Sequence, residues 1–93
     1  MVIGSLQIRI LISESRSLKS KRFILKGLID RIRARFNVSC SEVDGHNLWQ
    51  ASTIAVVMVG FDKQHINGCL DKIADLVEDT RQIEMVDRHL EFI

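Results

Sequence analysis

The sequence predicts an α+β sandwich: a four-stranded antiparallel sheet with two helices on one face, in the chain order βαββαβ. Three observations carry this. Two segments, one from Leu18 to Phe36 and one from Ile66 to Val77, repeat apolar residues at helical spacing. Three others, around residues 2–12, 38–43 and 83–92, alternate with the period of a half-buried strand. Between the second and third of these, Ala51 to Phe61 is apolar on both faces, which suits a central strand.

In the first strand Leu6, Ile8, Ile10 and Ile12 face one way, and Ser5, Gln7 and Arg9 face the other. Ser13-Glu14-Ser15-Arg16 breaks the pattern, and Ser17 is a good N-cap for the first helix. The core stripe of that helix is Leu18, Leu25, Leu28, Ile29, Ile32 and Phe36, ending at Asn37. Val38 and Cys40 share one face of a short second strand, and Asp44-Gly45 is a turn signal opening a connection through Leu48-Trp49-Gln50. Asp62 caps the second helix, whose stripe is Ile66, Cys69, Leu70, Ile73, Leu76 and Val77. In the last strand Val86, Leu90 and Phe92 oppose Asp87, His89 and Glu91. This order is the ferredoxin-like pattern, with strand order 4-1-3-2 and residues 1–93 forming a single domain.

Charge is unevenly placed. Net charge is only +1, yet Arg16 to Arg35 holds eight basic residues and one acid, or +7, against −6 for the remainder. Lys19, Lys21 and Arg22 stand in or next to the first turn of the first helix, where the dipole opposes each exposed cation by about 0.3–1 kcal/mol. Something negative is expected to compensate them. On a helical wheel Lys19, Arg22, Lys26 and Arg33 line one flank beside the apolar stripe, with Lys21 toward the core edge. One reading is a surface that tracks a phosphate backbone through Lys19, Lys21, Arg22, Lys26 and Arg33. A second is plain solvation. A third is internal pairing: the helices run antiparallel, so Glu78-Asp79 at the end of the second helix can pair with Lys21 or Arg22.

Other chemistry finds little support. His46, His65, His89, Cys40 and Cys69 lack metal-ligand spacing, and no phosphate-binding glycine motif or carboxylate pair is present. No catalytic residue, metal or cofactor is therefore expected. The two cysteines read as core fillers, and Glu14, Asp44 and Asp62 as loop or capping residues. The aromatics that read bases on an RNA-recognition-motif sheet are missing, so RNA binding here is expected to follow the backbone and to be salt-sensitive. Trp49 reads first as an anchor for the long connection and second as a stacking residue. An apolar face on the third strand, and Phe23, Gly27 and Ala34 on the outer side of the first helix, are candidate association patches. No apolar run is long enough to span a bilayer, and no signal peptide opens the chain, so the expected setting is cytoplasmic.

Ser17-Leu18-Lys19-x-Lys21-Arg22, Leu25-Lys26, Arg35-Phe36-Asn37-Val38-Ser39 and Leu48-Trp49-Gln50 together resemble the YlxP-like family of small bacterial proteins, a domain of unknown function. The likeness runs over nearly the whole length, and Phe23 and Gly27 depart from it. It implies a ferredoxin-like fold in a bacterial cytoplasm, with no established catalytic residues. Members are often encoded near translation-initiation and ribosome-maturation genes, which tilts the partner toward RNA or the ribosome. The expectation is a non-enzymatic protein that binds structured RNA or the ribosome through the first helix. The alternative is an interaction or homodimerisation module whose basic helix pairs with acidic groups.

Overall fold

The computed structural model describes residues 1–93. Its elements are β1 (Val2–Leu11), α1 (Leu18–Arg35), β2 (Ser39–Asp44), β3 (Ala51–Gly60), α2 (Lys63–Glu78) and β4 (Glu84–Phe92). The strands form one antiparallel sheet in the order β2-β3-β1-β4, so β1 and β3 are central as their apolar character requires. The ferredoxin-like α+β fold expected from the sequence is the one observed.

The core lies between sheet and helices. β1 contributes Leu6, Ile8 and Ile10, continued by Ile12, and β3 contributes Ile54 and Val56. Leu25, Leu28 and Ile32 face them from α1, and Ile66, Leu70, Ile73, Ala74 and Val77 from α2. Ser17 caps α1 by accepting the Ser20 N–H at 3.0 Å, and Asp62 caps α2 by accepting the Gln64 N–H at 3.0 Å. Gly45 supplies the positive φ of +80° at the turn after β2. Gly4 fits a close approach: a Cβ there would lie 2.5 Å from Cγ2 of Ile66, so α2 rides directly on the β1 backbone.

Both edge strands carry a bulge that the alternation alone does not reveal. The β2 register slips between Glu42 and Asp44, and the β4 register slips where Arg9 gives way to Ile10. The extra residues are Val43 and Val86, and both are exposed. Val86 was expected on the core face with Leu90 and Phe92. The bulge turns it out and gives its place to Met85, which pairs with Ile10. The two slips flank the same cross-sheet row, Asp44–Thr53–Arg9–Asp87, on the face away from the helices.

Candidate nucleic-acid interface

The basic flank of α1 runs alongside the edge strand β2. Arg22, Lys26 and Arg33, with Ile29 and Asp30, form one wall of a groove of about 290 Å³, and Ser41 and Glu42 of β2 form the other. Their spacing, four and then seven residues, keeps the three cations within about 40° of one another around the helix. Lys19 continues the line one turn toward the helix start and is exposed.

Within this line the cations differ in what already holds them. Lys26 pairs with Asp30 at 2.6 Å across one helical turn, an exposed contact of small energetic weight. Arg33 donates from Nη2 to the Cys40 carbonyl at 2.5 Å, so it closes part of the β2 edge while keeping its other N–H groups free. Lys19 and Arg22 make no side-chain hydrogen bond or ion pair. Two unpaired cations therefore stand at the positive end of the helix, flanked by two partly engaged ones.

Lys21 leaves the expected set. It is wholly buried, and its ammonium donates to Glu42 Oε2 at 2.9 Å and to the Gly45 carbonyl at 2.5 Å. The Ser52 hydroxyl donates to the same carboxylate oxygen at 2.7 Å, and His46 Nε2 lies 4.0 Å from the other oxygen. Burial pushes the Glu42 carboxyl up, but Ser52 and Lys21, with a smaller contribution from His46, outweigh it and hold the group below its ordinary value. The lysine thus cannot reach an external phosphate. It sits in the core stripe at 18, 21, 25, 28 and 32, and its position in that series is the signal that separates it from its basic neighbours.

The expected pairing with α2 is also absent. Lys21 is compensated from β2 rather than from Glu78 or Asp79, and those two carboxylates meet no cation. Instead, Arg31 donates to Thr80 Oγ1 at 2.5 Å, tying α1 to the end of α2. Phe23 and Gly27 do share a place: they line a second hollow of about 290 Å³ with Arg31, Thr80, Arg81 and Gln82. Trp49 lines neither hollow, and at 55% exposure it does not anchor its connection. Gln50 does so, donating to the Ser13 and Ser15 carbonyls at 3.2 and 3.0 Å.

Of the thiols, Cys40 is buried, which raises its pKa against the opposing charge of Arg33. Cys69 is only half-buried, with Sγ 3.7 Å from Nε2 of the exposed His65 one turn away. No three metal-ligating side chains gather anywhere, and no helix is long and apolar enough to cross a membrane.

Fold and surface together define a small ferredoxin-like protein with a basic groove beside one sheet edge. The family model for "Protein of unknown function (DUF503)" matches residues 3–90, and the chain belongs to that family. It is similar to "Uncharacterized protein YlxP" of Bacillus subtilis (strain 168), with 28% identity over 83 residues, covering 89% of this chain and 90% of that protein. Among solved structures it resembles the de novo designed protein Foldit4, with TM-score 0.56 and 12% identity over 98% of this chain and 96% of that one. It also resembles the designed ferredoxin-fold protein LFR1 1, with TM-score 0.55 and 11% identity over 100% of this chain and 84% of that one. At such identities these two structures speak for the fold alone.

Proposed function

We propose that this protein is a non-enzymatic RNA-backbone-binding protein of the bacterial cytoplasm, acting on structured RNA such as that of the ribosome. One observation carries the reading: four solvent-facing cations, Lys19, Arg22, Lys26 and Arg33, lie in line on one flank of α1, and the first two have no partner in the chain. From Lys19 to Arg33 they extend about 21 Å along the helix at 1.5 Å per residue. A phosphate backbone supplies what the helix start lacks, a run of negative charge beside a positive pole. The absence of aromatics on the central strands makes the contact one of backbone and shape rather than of base identity.

The test is RNA affinity against salt. With three to four phosphates neutralised, the log–log slope should lie near about −3. Reversing Lys19→Glu and Arg22→Glu should remove most binding and flatten the slope by about 1.5, while the fold stays intact because neither side chain is engaged. The control is Lys72→Glu with Arg81→Glu, two cations off this flank. Equal losses at the two pairs mean nonspecific attraction, and no loss at the first pair overturns the reading.

The other reading, an acidic protein partner on the same flank, is separated by what stays bound at low salt after nuclease treatment. A defined acidic protein that survives nuclease and is lost on Lys19→Glu with Arg22→Glu would replace RNA as the ligand.

A further inference from the structure

Both edges of the sheet are protected against strand addition, whereas its open face is not. β2 is only six residues long, is bulged at Val43, and has its Cys40 carbonyl taken by Arg33. β4 is bulged at Val86 and bears Asp87, Arg88, His89 and Glu91. Short length, bulges and charges are the usual defences of an edge. On the face away from the helices, the register places Ile3 beside Val59, with Val57 one row further on. Ile93 continues the Ile3 row, its N–H donating to the Ile3 carbonyl at 2.9 Å, and Phe61 follows the end of β3. Val59, Phe61 and Ile93 are 59%, 94% and 77% exposed, and no element of the chain covers them. The Val57 row also carries Ser5, Ser39 and Glu91, and the rest of the same face is polar, with Arg9, Thr53, Asp44 and Asp87 in one row and Gln7 and His89 in the next.

We infer that this face is a self-association surface, on which a second copy of the chain stacks about a two-fold axis parallel to the strands. That axis is the one the residue pattern selects. It lays β1 of each copy over β3 of the other, so Ile3 meets Val59 and apolar end meets apolar end. Polar end then meets polar end: Arg9 stands over Thr53, beside both Asp44 of the second copy and the Asp87 that the same axis brings over that carboxylate. Arg9 has no ion pair in its own chain, so this offers the partner it lacks. An axis running across the strands would instead keep each strand over itself and press Ile3 against Arg9 and Ile93 against Asp87, leaving charges desolvated against apolar groups.

The area is sufficient. Four strands at about 4.8 Å and nine residues at about 3.3 Å give roughly 570 Å² per copy, hence about 1,100 Å² in all. This clears the roughly 1,000 Å² expected of a specific interface and sits below the standard size, so the dimer is a weak one. Two such faces pack in the manner of aligned sheets, about 10 Å apart.

The inference stands apart from the RNA reading, because it concerns the opposite side of the sheet and is tested without nucleic acid. Sedimentation equilibrium of nuclease-treated protein, from micromolar to millimolar concentration, should show the mass rising toward twice the 10.6 kDa of one chain. Val57→Lys with Val59→Lys should weaken association at least about tenfold, since Val59 sits at the centre of the apolar patch and Val57 at its border. Should that variant lose its circular dichroism, Val57→Thr with Val59→Ser asks the same question more gently. Phe23→Lys, on the outer side of α1, should leave association unchanged. A single-chain mass at every concentration overturns the inference. So does association that survives the valine substitutions, or that is lost on Phe23→Lys.

Discussion

Lys21 shows how much one residue's surroundings can differ from its neighbours' in sequence. Beside Lys19 and Arg22 it looks like a third surface cation, yet its ammonium is enclosed with the Glu42 carboxylate, the Gly45 carbonyl and the Ser52 hydroxyl nearby. It pins the start of α1 to β2 and to the turn that follows. Lys21→Met leaves Glu42 half-buried without its cation and should cost about 3 kcal/mol in urea denaturation, whereas adding Glu42→Leu should recover most of that loss. The same carboxyl gives a pH signature. Its folded pKa lies below the unfolded value of about 4.3, so its contribution is complete above that value and disappears as pH falls through the folded pKa. Acid titration of stability should therefore fall less steeply in Glu42→Gln than in the parent. The Lys21 site was half-legible in the sequence: the stripe at 18, 21, 25, 28 and 32 marks it as inward, but the carboxylate that receives it arrives from a strand 21 positions away.

Elements were legible wherever period and caps agreed. Ser17 and Asp62 begin the helices as their side chains suggest, and the β1 alternation survives along its whole pairing with β3. The bulges at Val43 and Val86 were not legible, because an extra residue shifts phase only relative to the neighbouring strand. Helix ends bring a reversal as well. With no cation within 4 Å of them, Glu78 and Asp79 are anions at the negative pole of α2, and Glu78→Gln with Asp79→Gln should raise stability by about 0.3–1 kcal/mol. A lower denaturation midpoint would instead point to a cation that pairs with them in solution. At Gly4, α2 lies directly against the backbone of β1. Gly4→Ala places a methyl group 2.5 Å from the stiff, buried Ile66 and should cost about 1–3 kcal/mol by the same measurement.

At the scale of the molecule, charge is segregated by element, and the fold makes little use of its cations. Arg16 to Arg35 carries +7, but only Lys21 and Lys26 of that window find carboxylates within 4 Å. The window itself was plain in the sequence; which of its members remain free was not, since Lys21 and Arg33 are withdrawn by contacts to β2. This distribution makes a prediction about the protein alone. At low ionic strength the free cations repel one another and the positive pole of α1, over a range of about 30 Å in 10 mM salt. Raising salt to 0.1 M shortens that range to about 10 Å, leaves the buried Lys21–Glu42 pair nearly unscreened, and weakens only the exposed Lys26–Asp30 pair, worth about 0.3–0.5 kcal/mol. Relief of repulsion at Lys19 and Arg22, about 1 kcal/mol together, should win by roughly 0.5 kcal/mol, which in a domain of this size raises Tm by about 2–4 °C. Thermal unfolding followed by circular dichroism, at one protein concentration and increasing sodium chloride, measures it. A Tm that falls with salt would mean that the acidic remainder of the chain already offsets the basic helix at long range, and the demand for an anionic ligand would vanish with it.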